Sequence, residues 1–368
     1  MKKVNVAIVG CGNISGIYLE NLTDIVKNVN FDNVNVYAVA DLIPANAKAK
    51  AEQFQVERIM TFEEMLEDEN IQIIVNLTTP PLHYDISKRA LLAGKHVHSE
   101  KPLSISYAQG KELVQIAEEK GLFLGCAPDT FLGGGIQTCR KIIDDGLIGE
   151  VIGANAFMMC HGHEGWHPNP AFYYQVGGGP MFDMGPYYLT ALVSLIGSVD
   201  SVAGMTHTSF PTRRVTSQPN YGQIVEVEVP THVNGLLRFH NGAVGNIITS
   251  FDVWGSKLPW IEIHGTRGSI QVPDPNGFGG EVLVKQSFDK EFHSWPLVTA
   301  DSTNSRGIGL SDMASAVLDG RTNHKANGKM ALHVLEIMEK IHTSSDEHRE
   351  IVLDSTCQRP DPMPLAIV

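Results

Sequence analysis

The sequence has few cysteines, no basic run, no long apolar stretch and no internal repeat. Its five cysteines, Cys11, Cys126, Cys139, Cys160 and Cys357, are scattered, odd in number and without CxxC spacing. That disfavours a disulfide framework or a zinc knuckle and fits a reducing cytoplasm. Lysine and arginine total 28 against 41 acidic residues, a net charge of −13. With no Lys/Arg cluster, neither a nucleic acid nor an anionic membrane is an expected partner. No apolar stretch approaches the roughly 20 residues needed to span a bilayer. Met1-Lys2-Lys3 before VNVAIVGC imitates a signal peptide, but Asn5 interrupts a short apolar run that ends in a glycine turn, not a cleavage site.

The composition is that of a globular chain. Of 368 residues, 43% are hydrophobic, enough for two cores, and single cores rarely grow beyond about 250–300 residues. The expected domains are residues 1–127 and 128–368. In the first, apolar strands at 4–9, 33–40, 58–60, 71–77, 96–98 and 122–124 alternate with helices at 14–23, 45–54, 62–66, 85–93 and 107–120. This βαβα rhythm predicts an α/β fold with a doubly wound parallel sheet. After Pro128 the pattern changes. Helices are expected at 136–144 and 184–195, and strands at 231–239, 243–249, 260–264, 268–272 and 281–285, with Asn241-Gly242 as a hairpin turn. Helices return at 310–318 and 329–342, and the tail after Thr356 reads as irregular. The second domain is therefore expected to carry a large open, mainly antiparallel sheet with helices on one face.

The first strand runs into Gly10-Cys11-Gly12-Asn13-Ile14-Ser15. Gly10 allows a tight turn, and Gly12 lets the backbone approach a pyrophosphate at the helix N-terminus. Ser15 replaces the usual third glycine, so the fingerprint is partial, but its strand–turn–helix context supports a dinucleotide site. Asp41 ends the second strand in AVADL. A carboxylate there accepts from a ribose diol and repels a 2′-phosphate, and no arginine follows, so NAD is expected over NADP. Asp41 can equally cap the helix that follows.

Two segments carry a family resemblance: Asn76-Leu77-Thr78-Thr79-Pro80-Pro81-Leu82-His83, and GKHVHSEKP, which ends in Glu100-Lys101-Pro102. Together with DGLIGE, the glycine run before Asp183-Met184-Gly185, LLRFHNGAVGNI, IEIHGTRGSI and GLSDMASAVLDGR, they resemble the Gfo/Idh/MocA oxidoreductases over nearly the whole chain. The resemblance implies a Rossmann domain plus an α/β domain whose open sheet often makes a homodimer or homotetramer. It implies hydride transfer between nicotinamide and a hydroxyl or carbonyl carbon of a sugar or cyclitol. It places Lys101 at the substrate hydroxyl and against the cofactor, with Asn13, Ile14, Thr78, Thr79, Pro80, His83 and Glu100 along the cofactor. Two departures stand out. Where the family often reads DxGxH, this chain has Asp183-Met184-Gly185-Pro186-Tyr187, similar to glucose–fructose oxidoreductase and the dimeric dihydrodiol dehydrogenases. The loop after Gly125 reads CAPDTFLGGG and lacks the usual arginine.

Alcohol oxidation removes a hydride from carbon and a proton from oxygen. A desolvated Lys101 would have a lowered pKa and, as a cation, would polarise the reacting oxygen. Asp183 and Tyr187 are four apart, so they share a helix face, and Tyr187 is the candidate for proton transfer. Asp183 can alternatively be a helix N-cap with Pro186 in the first turn. Cys160, His161, His163 and His167 have no established ligand spacing, and no metal is expected. The segment 161–174 reads as a loop over the substrate, with Trp166, His167 and Tyr173 (or Tyr174) facing a sugar ring, or as aromatics packing the loop itself. The expected activity is that of an NAD-dependent dehydrogenase. The alternatives are an NAD-dependent glycosidase acting by transient oxidation and a non-catalytic NAD-binding regulator.

Overall fold

The computed structural model describes residues 2–23 and 31–365; Met1 and the end of the expected irregular tail, 366–368, lie outside the described residues. The chain divides into two compact units, Met1–Asp129 with Asn304–Leu332, and Thr130–Thr303 with His333–Val368.

The first unit opens with β1 (Val4–Val9), α1 (Ser15–Leu22), β2 (Val34–Ala40), α2 (Pro44–Phe54), α3 (Phe62–Glu67), β3 (Ile73–Asn76), α4 (Pro80–Leu92), β4 (His96–Ser99), α5 (Tyr107–Lys120) and β5 (Leu124–Cys126). Among the described residues the five strands form one sheet in the order β2-β1-β3-β4-β5, parallel throughout. Its central strand β3, IIVN, is buried at every position, as expected where helices cover both faces. The strand order reverses between β1 and β3, and ligands of such sheets bind beyond the carboxyl ends of the strands at that switch. Local chemistry sets the helix ends. Ser106 accepts from the Gln109 N–H at the start of α5, and Gly121, with φ 64°, ends it. The expected strand at 58–60 reduces to a single bridge, Val39 to Ile59, because the left-handed turn at Gln55 and the Thr61 cap of α3 confine it. Helix α4 starts at Pro80 rather than 85, since proline is well accommodated in a first turn.

The second unit contributes α6 (Gly134–Asp144), β6 (Val151–Met159), α7 (Gly179–Ile196), β7 (Val199–His207), β8 (Thr212–Arg214), β9 (Ile224–Glu226), β10 (His232–Phe239), β11 (Val244–Ser250), β12 (Ile261–Gly265), β13 (Gly268–Val272), β14 (Val282–Gln286) and β15 (His293–Trp295). Then α8 (Ile308–Asp319) belongs to the first unit, α9 (Gly328–Glu347) begins there and continues in the second, and β16 (Ile351–Val352) closes the series. Among the described residues the large sheet has nine strands, ordered β15-β14-β13-β12-β6-β11-β10-β7-β16. It is mainly antiparallel, with β6 and β11 paired in parallel. Residues Val233, Leu237 and Phe239 of β10 are buried while Leu236 and Arg238 are exposed, the alternation of a sheet covered on one face. Strand β6 escapes periodicity because two of its three buried positions, Ala154, Ala156 and Met158, carry only a small alanine.

One boundary differs from expectation. The second domain was expected to run unbroken over 128–368, yet Asn304–Leu332 belongs to the first unit. Asp129 accepts from the N–H groups of Gly307 and Gly309 at 2.8 and 3.1 Å, Asn33 donates to the Ser311 carbonyl at 2.8 Å, and Cys126 N–H donates to the Ala326 carbonyl at 3.0 Å.

The core of the first unit also predicts an acid sensitivity. His98 on β4 is fully buried, neither ring nitrogen has a hydrogen-bond partner among the described residues, and burial, with a smaller push from His324, brings its pKa down to about 4. The unfolded chain, near 6.5, therefore takes up a proton between pH 6.5 and 4 that the folded state refuses, so stability falls as pH falls through that window at up to about 1.4 kcal/mol per pH unit. His98→Leu is expected to lose less stability than the wild type between pH 7 and 5, by roughly 1–2 kcal/mol in urea titrations. Parallel curves for the two proteins would show that His98 does not carry the effect.

Candidate functional site

In the first unit, the carboxyl ends of the parallel strands bring the sequence-predicted residues to one edge. Gly10 follows β1, Asp41 follows β2, Thr78 and Thr79 follow β3, and Glu100 and Lys101 follow β4. Gly10 has φ 100°, and a Cβ there would lie 2.6 Å from the Leu77 carbonyl, so only glycine fits the close pass of this turn over the end of β3. At Gly12 a Cβ would meet nothing within 4 Å; Gly12 and Asn13 are exposed and Ile14 is half-buried. Among the described residues no side chain caps α1, and no acidic residue stands in its first turn. The same holds for α4, whose cap position is Thr79. Two helix amino ends with no acidic residue in the first turn suit the pyrophosphate of a dinucleotide.

Asp41 is held on both oxygens, one accepting from Cys11 N–H and the other from Ile43 N–H, each at 2.7 Å. It ties the glycine turn to the end of β2, and its remaining lone pairs can accept from a ribose diol. Asp41→Ala is expected to weaken NAD binding about tenfold and NADP binding less, so that the preference narrows. Fluorescence titration with both nucleotides measures this, and NADP binding as tight as NAD in the wild type would refute the assignment.

Behind these groups lie braces that sequence reasoning missed or placed differently. Buried Asn76 accepts from Thr78 N–H and hydroxyl, the latter at 2.6 Å, and donates to the His83 carbonyl at 3.1 Å. His83, expected along the cofactor, is fully buried, with its ring nitrogens 2.7 Å from the Pro102 carbonyl and 3.0 Å from the Thr78 carbonyl. It braces two loops instead of facing the ligand edge. Glu100 is buried too: Tyr18 donates to one carboxylate oxygen at 2.8 Å and Lys101 N–H to the other at 3.0 Å. Glu100 thus holds the backbone that carries Lys101.

In the second unit, α7 places Asp183 and Tyr187 one turn apart. The helix starts at Gly179, with Gly178 as its cap position, so Asp183 is not the N-cap that the sequence also allowed. Pro180 occupies the first turn, and Pro186 lies in the helix interior. Asp183 instead faces His163, whose Nε2 is 3.1 Å from its carboxylate. Tyr187 is buried at 6% exposure.

The histidines of the loop before α7 diverge. His161 stacks on Trp254 at 3.4 Å between centroids; His163 meets Asp183; His167 Nδ1 accepts from Asn169 N–H at 3.1 Å, and burial lowers its pKa. Trp166 is exposed, and Tyr173 packs on the His163 ring at 4.1 Å. Tyr174 faces inward: it is fully buried and donates to Glu164. Glu164 in turn pairs with Arg213 of β8 at 3.0 Å, and Arg213 pairs with Asp252. Ser217 donates to the His167 carbonyl at 2.5 Å and Asn220 to the Pro168 carbonyl at 2.8 Å. The loop is therefore pinned to the β8–β9 segment by a buried ion cluster that has no local sequence signal.

The first unit has the design of a dinucleotide-binding domain, and the second is built on a wide mixed sheet. The chain belongs to the Gfo/Idh/MocA family: the model for the oxidoreductase family's NAD-binding Rossmann fold matches residues 4–127, and that for the GFO/IDH/MocA C-terminal domain matches residues 136–271. An uncharacterized oxidoreductase of Schizosaccharomyces pombe is 32% identical over 219 residues, 56% of this chain and 54% of the relative, so the match spans about half of that protein's length. D-xylose dehydrogenase of Paenarthrobacter nicotinovorans is 25% identical over 337 residues, 83% of this chain and 84% of the relative. Levoglucosan dehydrogenase, solved with NADH and levoglucosan, has the same fold, with a TM-score of 0.82 over 96% of this chain and 100% of that one at 21% identity. Among the described residues, no helix is long and apolar enough to cross a membrane.

Proposed function

We propose that this protein is an NAD-dependent dehydrogenase or reductase acting on the CH–OH group of a sugar or cyclitol. The observation that carries the reading is the shared strand edge in the first unit, where the Gly10 turn, Asp41, the start of α4 and Lys101 stand together. The names of the xylose and levoglucosan dehydrogenases support the carbohydrate class. When bound, the nicotinamide supplies a hydride acceptor or donor. Gly10, Gly12, Asn13 and Ile14, with the amino ends of α1 and α4, hold the pyrophosphate side; Asp41 holds the adenosine ribose; Thr78, Thr79 and Pro80 line the loop after β3. Lys101 polarises the substrate oxygen, Tyr187 moves the proton, and Asp183 orients that chemistry from the same helix face as Tyr187. Trp166, His167 and Tyr173 offer ring faces and hydrogen bonds to a carbohydrate.

The test is NADH absorbance on incubation of the protein with NAD and a panel of sugars and cyclitols. Stoichiometric NADH formation is the expected result. NAD binding with no turnover on any of them would favour a regulator, and bond cleavage without net NADH a glycosidase.

The same reading includes a reducing cytoplasmic setting, in keeping with five unpaired thiols. It also includes a homodimer or homotetramer formed through the outer sheet face, where Met205, Leu236 and Val244 are 78%, 57% and 49% exposed. Light scattering at micromolar concentration is expected to give a multiple of the 40.2 kDa chain mass; a monomer would contradict it.

A further inference from the structure

We propose that His163 is a positioning residue that sets the orientation of the Asp183 carboxylate; this rests on the reading above that Asp183 serves the reaction. All the groups concerned belong to the second unit. His163 Nε2 lies 3.1 Å from Asp183 Oδ2, and the two side chains are 10% and 14% exposed. A carboxylate only accepts, so Nε2 carries the proton. The other ring nitrogen, Nδ1, is buried with no hydrogen-bond partner among the described residues. Among the described residues the bond to Asp183 is thus the one hydrogen bond of the ring, and it selects the tautomer.

The ring has little freedom to turn away. Tyr173, Phe251 and Trp166 surround it, with centroids at 4.1, 4.6 and 5.2 Å. Its backbone N–H donates to the Tyr174 hydroxyl at 3.3 Å. The next residue, Glu164, is locked by the buried Arg213. A rigid donor on the loop therefore meets a carboxylate on α7, one turn before Tyr187. A buried, fixed donor of this kind removes the conformational search from a catalytic carboxylate without itself touching the substrate.

Two variants separate positioning from packing. His163→Phe keeps a ring for the aromatic shell and removes the donor; His163→Gln can present an amide N–H near the Nε2 position. The expected result is a kcat about tenfold lower for the Phe variant with KM and NAD affinity changed less than threefold, and recovery of most of kcat in the Gln variant. In an Asp183→Asn background, His163→Phe is expected to add less than a twofold loss. Nitrogen-15 NMR of the purified wild type is expected to show His163 as the Nε2–H tautomer, with that signature disturbed by Asp183→Asn; this readout needs no turnover. A wild-type Nδ1–H tautomer, or a Phe variant within twofold of wild type while Asp183→Asn is slow, would overturn the proposal and leave the proposed function standing. A fully active Asp183→Asn enzyme would remove both this proposal and the role of Asp183, and absence of any NAD-linked turnover would count against the function alone.

Discussion

Lys101→Ala is expected to reduce kcat/KM by at least a hundredfold, and by up to ten-thousandfold, while NAD still binds within a few-fold of wild type. Lys101 stands just past the carboxyl end of β4, at the strand edge that also carries the glycine turn, and its N–H is fixed on the Glu100 carboxylate. The substitution leaves that backbone bond in place and removes only the cation and its stem. The size of the loss follows from what a positioned acid–base or polarising group contributes, about a hundred- to ten-thousandfold. Lys101→Arg is expected to recover little, because a planar guanidinium keeps the charge but not the point-donor geometry, and cannot lose its proton. Steady-state kinetics with nucleotide titration measures both effects. Activity within tenfold of wild type would show that Lys101 is not catalytic, and a parallel loss of NAD affinity would make it a cofactor contact only.

Tyr187→Phe should lower kcat about a hundredfold and remove one limb of the pH–rate profile. The ring is buried on α7, so phenylalanine preserves its packing and deletes only the hydroxyl. Loss of one hydrogen bond costs about 1 kcal/mol of stability, too little to unfold the protein, so a large rate effect would report on chemistry. The neighbouring tyrosine supplies the control. Tyr188 is fully buried, its hydroxyl has no hydrogen-bond partner among the described residues, and burial pushes its pKa up. Tyr188→Phe removes an unsatisfied polar atom and is expected to leave turnover unchanged and stability equal or higher. Equal rates for the wild type and Tyr187→Phe would make Tyr187 a packing residue without a part in proton transfer.

The sequence by itself determined the elements whose causes are local. The apolar run of β1, the left-handed glycine after it and the helix that follows are written in consecutive residues, as are Asp41 at the end of β2 and the Asn241-Gly242 hairpin. Each depends on a dihedral preference or a strand period that neighbouring residues reveal. The tertiary structure alone decided the roles that depend on distant partners. It joined His163 to Asp183 across 20 residues and Arg213 to Glu164 across 49. It turned His83 and Glu100 into braces, moved the start of α7 ahead of Asp183, and returned Asn304–Leu332 to the first unit. A buried polar group must find a partner, but nothing in its own segment specifies which one; that choice is made only when packing brings remote strands, loops and helices together.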